Sequence, residues 1–433
     1  MSALLLPVLL YFGVVLVVGA VAARATSANA EDFFLGSRSA RTLVLFMALF
    51  GTNVTPFVLL GIPGLAYHEG VGVFGYNAAI VALGIPLSFW LIARPAWHEA
   101  RRQGAISPAE LYARKLGSPA LGVVLFGAFT IYTLPYMVTS VIGVALATEV
   151  FSGGAIDGRL AALALLVVTA IYTAVGGMRA TMWTNVVQGV VFMGFVLAAF
   201  VAIIAFPHML VRVFAARDPA ALRNTVRLYP AALVLLWLPV VLIGVWGAVA
   251  VPGLEGRASD RVLPMMVVQH LPPWMHGVGL AAILAAVMST LDAQFLTLSS
   301  MFGRDVLRRI RRDLHERTEV RAGQVFSLLL AAITWALVVW SPASIFGLAT
   351  FSFSGYVMLV PTLWAALVWR RFTATAAMAS IVAGNAVLLL TMRAGTPLGL
   401  LPVAWGLAAA SVVALVLPWA WPRRQQPSSA LVR

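Results

Sequence analysis

The chain has 433 residues, 61% hydrophobic and only 10% charged, with a net charge of +14 and no cysteine. A soluble domain carries about a quarter charged residues, so the composition makes the lipid bilayer the solvent of this chain. The arginines fall in short clusters between apolar runs, which excludes the basic stripe of a nucleic-acid binder. The missing cysteines exclude a disulfide framework and a thiolate metal site, and the six histidines lack the HExxH spacing of a zinc hydrolase.

The first apolar run, residues 3–23, has no basic n-region and is long enough to span, so it reads as a first helix and not as a signal peptide. Further runs lie at 41–67, 71–94, 118–150, 159–178, 182–206, 229–251, 274–302, 322–341, 345–369, 373–392 and 398–421, which makes about twelve spans. None shows the two-residue alternation of a barrel strand. The predicted fold class is therefore all-α, a polytopic membrane helical bundle forming one domain over residues 1–424, with a short tail at 425–433.

Arginine clusters at Arg24, Arg38 and Arg41, at Arg94, Arg101 and Arg102, at Arg304, Arg308, Arg309, Arg311 and Arg312, at Arg370 and Arg371, and at Arg423 and Arg424 share one side if the N-terminus is outside. By the positive-inside rule that side is the cytoplasm, and the C-terminus lies there too. One stretch resists. After the run at 182–206, "PHMLVRVFAARDPAALRNTVR" puts Arg212, Arg217, Arg223 and Arg227 on the side that should be external. Residues 180–211 are too few for two crossings, which take about 40 residues, so the scheme requires a re-entrant hairpin, a flipped segment or a missing helix.

Two runs carry polar residues at depth. In "LFMALFGTNVTPFVLLGIPGLAY", Gly51, Pro56, Gly61, Pro63 and Gly64 accompany Thr52, Asn53 and Thr55. Proline removes a donor and frees a carbonyl, which is tolerated in a bilayer where the backbone lines a cavity; such a broken helix points to a transporter binding site. The alternative is a kinked helix packed through its glycines. In "GLAAILAAVMSTLDAQFLTLSS", Ala286, Ser289 and Thr290 stand at i, i+3 and i+4, turning a carbonyl and two hydroxyls the same way. Neutral oxygens suit a monovalent cation that must bind and leave, although the hydroxyls could instead bond back to carbonyls one turn earlier. Asp292 is an ionisable group in an apolar run and reads as a gate or structural residue, within reach of cytoplasmic water or an arginine.

Together "AAVMSTLDAQFLTLSSMFGRDVLRR", "YTAVGGMRATMWTNVVQG", "EDFFLGSRS", "GTNVTPFVLLGIPG" and "PHMLVRVFAARDPAALR" resemble the sodium/solute symporter family, which includes proline, pantothenate and sugar carriers. The resemblance runs from the first helix to about residue 390. It implies an inverted-repeat fold of five plus five core helices with flanking helices, and a sodium ion held by the carbonyls of Gly51, Val54 and Ala286 and the hydroxyls of Ser289 and Thr290. It also implies a solute path past Asn53, Thr55, Phe57, Val58 and Asn185. Phe57 and Val58 stand where sugar carriers present polar side chains, so the implied solute is a small organic anion or an amino acid.

Two positions and one missing stretch depart from the family pattern. Asn53 replaces the aspartate of proline carriers, as it does in sugar carriers. Asn185 replaces the aspartate usual in "WTNVVQ", which weakens cation attraction along the cytoplasmic path. Something like fifty residues before "PHMLVR" are absent, leaving an internal deletion near residues 200–207 and one core helix incomplete, with Pro207 to supply the remaining break. The resulting expectation is a sodium-coupled symporter of a small organic solute in the bacterial inner membrane. The competing readings are a proton-coupled carrier and a non-transporting sensor or scaffold that keeps the fold. No metal-ligand cluster or nucleophile–base pair supports an enzyme.

Overall fold

The structure, a computed structural model, describes residues 2–27, 29–75, 87–195, 207–311, 313–340, 345–396 and 400–420. Its long elements are α1 (Ser2–Arg24), α3 (Thr42–Asn53) with α4 (Phe57–Glu69), α7 (Pro119–Phe151), α8 (Gly158–Phe195), α10 (Pro219–Ala250), α12 (Pro273–Met301), α13 (Glu316–Trp340), α14 (Ile345–Val368), α15 (Ala374–Ala394) and α16 (Pro402–Ala420). Short helices α2 (Ala30–Leu35), α5 (Arg94–Gln103), α6 (Pro108–Leu116), α9 (Pro207–Phe214) and α11 (Val262–His270) lie between them. Among the described residues, eight helices are long and apolar enough to cross a membrane, and α3 with α4, bent by 53° at the break between them, passes the same test as a pair. Large apolar side chains face outward, with Leu9 64%, Leu390 63% and Leu401 71% exposed. Water would not tolerate such a surface, whereas lipid requires it.

Local sequence sets the breaks. Helix α6 opens with a capping box, Ser107 accepting from Glu110 N while Glu110 reaches back, and closes at Gly117 in the left-handed region (φ 65°). Helix α12 lies at the centre and is buried along nearly all its length. Its small residues permit this: at Gly277 an added Cβ would stand 2.5 Å from the Leu4 carbonyl of α1.

The predicted spans at 159–178 and 182–206, the latter described as far as Phe195, are the two arms of α8, which divides at Gly177, whose φ of 57° and ψ of −157° suit glycine. The chain reverses there. In a straight helix Tyr172 and Asn185 would lie roughly 20 Å apart, yet both side chains reach the carboxylate of Asp292. The reversal is pinned by Thr26 donating to the Gly176 carbonyl (3.1 Å) and by Arg179 pairing with Asp32 (2.6 Å). Burial alone would raise the Asp32 carboxyl, but Arg179, Ser27 and Ser37 together hold it below the ordinary carboxylate range.

The basic stretch after Pro207 does not lie on the side the sequence assigns it. Ala40 N donates to the Ala215 carbonyl (3.2 Å), Arg217 N donates to the Ala40 carbonyl (3.0 Å), and Arg101 Nη2 donates to the carbonyls of Ala216 (3.0 Å) and Arg217 (2.8 Å). Residues 215–217 therefore sit beside the Arg38 and Arg101 clusters, and the conflict disappears. The described part of α9, Pro207–Phe214, therefore ends on the side that carries the Arg38 and Arg101 clusters. The span predicted at 71–94 is described only at 71–75 and 87–94, and residues 200–206 of the expected deletion and the tail at 425–433 lie outside the described residues.

Because the chain has no cysteine, single cysteines report sidedness directly. Arg102→Cys and Arg217→Cys are expected to react with a membrane-impermeant maleimide from one face of sealed vesicles, and Ala155→Cys from the other. Labelling of Arg217→Cys from the Ala155 face would refute this arrangement.

Candidate functional site

The break between α3 and α4 lies against the middle of α12. Helix α3 ends at Asn53, Val54 turns extended (φ −80°, ψ 94°), and Pro56 starts the next helical stretch. Proline has no N–H to donate to the carbonyl four residues back, and here that carbonyl belongs to Thr52. Thr290 Oγ1 of α12 meets it at 3.2 Å. Beside it Ser289 Oγ meets the Gly51 carbonyl at 2.6 Å, while both hydroxyls also lie within 3.0 Å of the Ala286 carbonyl. Thr52 Oγ1 completes the contact by donating to the carbonyls of Ala48 (2.8 Å) and Ser289 (3.2 Å).

Thus Gly51, Ala286, Ser289 and Thr290 are brought together across 238 residues of sequence, and Val54 marks the break itself. Gly51, Ala286, Ser289 and Thr290 are fully buried. Back-bonding and facing the broken helix are not alternatives here, because each hydroxyl does both. The set consists of neutral oxygens only, which suits a hard monovalent cation and gives little purchase to a transition metal. Among the described residues no group of His, Cys, Asp or Glu is placed to hold a metal.

The expected solute-path residues divide into two groups. Thr55, Phe57 and Val58 gather on the α4 side of the break, buried, with Asn53 just before it. Thr55 Oγ1 accepts from Tyr136 Oη (3.1 Å) and from Phe57 N (3.2 Å). The Phe57 ring lies edge-on to Phe353 (5.1 Å) and beside Phe346 (5.7 Å), and Tyr136 meets Phe353 at 5.2 Å. This is an aromatic wall with a few hydroxyls set into it.

Asn185 belongs to the other group, with Asp292. Asp292 Oδ1 pairs with Arg212 Nη2 of α9 at 2.9 Å, with 0% and 1% of the two side chains exposed, and its Oδ2 accepts from Tyr172 Oη at 2.8 Å. With its amide turned as its neighbours require, Asn185 accepts from Arg212 Nη1 (2.6 Å) and Nη2 (2.8 Å) and donates to Asp292 Oδ2 (3.0 Å). Arg212 Nη1 also donates to the Ala48 carbonyl of α3 (3.2 Å). A side chain added at Gly51 would stand 3.6 Å from the Asn185 carbonyl, so this network abuts the broken helix. Tyr172 and Arg212 were not expected here from sequence. The available signal was Arg212 itself, a lone cation in the apolar "PHMLVRVF", which reads equally as a loop charge.

A family model described as the sodium:solute symporter family matches residues 33–206 and 191–384, two parts that overlap at 191–206. The sodium/proline symporter of Salmonella typhimurium is 25% identical over 454 residues, covering 89% of this chain and 86% of that protein. The sodium/pantothenate symporter of Escherichia coli is 28% identical over 444 residues, covering 88% and 89%. Among solved structures, a substrate-bound outward-open Na+-coupled sialic acid symporter matches with a TM-score of 0.76 over 98% of this chain and 99% of that one, at 15% identity.

Removing one member of a buried ion pair strands the other, typically at a cost of about 3–5 kcal/mol. Asp292→Leu and Arg212→Met are each expected to lose that much stability in sodium-free detergent, and the two combined to lose less than their sum. Unfolding curves that made the two losses additive would show that the pair is not coupled.

Proposed function

This chain belongs to the sodium:solute symporter family, and from that premise we propose a sodium-coupled carrier of a small organic solute whose ion is gripped across the break. The sodium is cargo. It would be held by the carbonyls of Gly51, Val54 and Ala286 and the hydroxyls of Ser289 and Thr290. The observation that carries this reading is the meeting of two α12 hydroxyls with two carbonyls of the broken helix at 2.6 and 3.2 Å. A cation entering there replaces hydrogen bonds with ion–oxygen contacts, which ties α3 to α12 and favours the state that accepts solute. Each sodium crossing 100 mV contributes about 2.3 kcal/mol, enough to concentrate a neutral solute roughly fiftyfold.

The aromatic wall of Phe57, Phe346 and Phe353 with the Thr55 and Tyr136 hydroxyls favours a solute with an apolar body and one polar end, an amino acid or a small organic anion, over a sugar. The membrane is the bacterial inner membrane, with the arginine clusters in the cytoplasm and the N-terminus outside. A second reading, a carrier fold retained without transport, draws on the neutral Asn185 that stands where the resembled carriers have an aspartate. Both readings keep the fold, and they part at the cage.

In proteoliposomes, radiolabelled proline and pantothenate are the first probes, being the solutes named for the relatives. Uptake of one of them should rise with an inward sodium gradient and not with choline. Thr290→Ala and Ser289→Ala should each weaken the sodium response about tenfold, the equivalent of roughly 1.4 kcal/mol. Thermal stability equally indifferent to sodium, potassium and choline would sink the cage. Sodium stabilisation without any transport would favour the retained fold.

A further inference from the structure

The guanidinium of Arg212 sits in an oxygen shell of the kind a bare cation takes. It touches a carboxylate oxygen of Asp292 (2.9 Å), the amide oxygen of Asn185 (2.6 and 2.8 Å) and the backbone oxygen of Ala48 (3.2 Å). These come from α12, α8 and α3, and two of those helices, α3 and α12, also supply the proposed sodium cage. The two shells share a wall: Ser289 and Asp292 stand at i and i+3 on α12, and Gly51 lies against Asn185.

A carboxylate buried to 0% exposure needs a counter-charge. Any mobile cation entering that shell would face the guanidinium on the same oxygens, and like charges so close exclude one another. Arginine keeps its proton under all physiological conditions and is covalently tethered, so the charge it contributes is permanent and never crosses the membrane. We propose that this second shell is a cation site that the chain fills with Arg212, so that the tethered guanidinium replaces a second coupling ion and one sodium moves per cycle. This rests on the reading of the first cage as the sodium site. Arg212 is then a positioning residue that sets the ion count, and the neutral Asn185 is what allows one cation, and not two, to balance the shell.

The test uses the full chain purified in detergent, with radioactive sodium binding and thermal unfolding titrated with sodium chloride against choline chloride. The wild type should bind one sodium with a Hill coefficient of about 1, and Arg212→Gln about two with a coefficient rising toward 2. Unfolding of Arg212→Gln should depend more steeply on sodium than that of the wild type. Arg212→Lys keeps the charge and should keep a count of one, and Arg212→Gln combined with Asp292→Asn should return to one. Two sodium ions in the wild type would overturn the proposal, as would Arg212→Gln that binds one ion with wild-type sodium dependence. So would failure of Arg212→Gln to fold in saturating sodium where the double variant folds, because sodium could not then take the place of the guanidinium. A wild type that binds no sodium overturns the cage reading itself, a result distinct from all of these.

Discussion

The architecture depends on a debt of hydrogen bonding created by one imino acid. Pro56 cannot donate to the Thr52 carbonyl, and the extended Val54 interrupts the ladder beside it. In hydrocarbon an unmatched carbonyl costs several kcal/mol, so α3 must find donors elsewhere. The donors come from α12, where Ser289 and Thr290 offer hydroxyls at one height. This requirement explains why α12 lies at the centre: its glycines and alanines let α1, α3 and α8 approach closely enough for short side chains to reach. Long polar residues would reach from further away, and they would also move. Short hydroxyls fix the position of the break to within a hydrogen bond.

The second constraint is charge. Asp292 and Arg212 are both buried, and neither is tolerable in that position without the other. Their pairing fixes α9 to α12 and α3, and so places the chain that follows beside Ala40 and Arg101. The asparagine at 185, which in isolation suggests a lost carboxylate, lies 3.0 Å from the carboxylate of Asp292. Negative charge is present at this level of the membrane; it stands on α12, not on α8, and an arginine accompanies it.

Much of this was legible in the sequence because hydrocarbon imposes strict accounting. A proline between glycines and threonines in an apolar run, and hydroxyls at i+3 and i+4 from an alanine, mark where oxygens must gather, and Gly51, Ala286, Ser289 and Thr290 do gather. The spans from α10 onward are legible for the same reason: about twenty apolar residues suffice to define each. What failed was any inference needing direction. The run from 159 to 206 reads as two spans and its described part does divide in two, but the point of reversal, Gly177, lies in one backbone conformation that composition does not announce. Arg212 and Arg217 look alike in a charge count, yet one is buried in an ion pair and the other lies beside Ala40 on the surface. Charge periodicity cannot separate them, because the difference is made by Asp292, eighty residues away.

The neighbourhood of neutral cage and locked ion pair has a physical rationale in the need for release. An ionised carboxylate facing a sodium in a low-dielectric interior would bind it strongly and let it go slowly, whereas carbonyls and hydroxyls replace a hydration shell with little net gain. A carrier must do the second. Holding Asp292 against Arg212, Asn185 and Tyr172 commits both of its oxygens, so the carboxylate contributes field without becoming a ligand. The ion in the proposed cage then feels a nearby dipole and not a bare negative charge. Its affinity is set mainly by how closely the Gly51 and Val54 carbonyls approach α12, and that distance changes when the broken helix rocks. Coupling between ion and helix motion is in this way a matter of backbone geometry, which is why the site is built on a break.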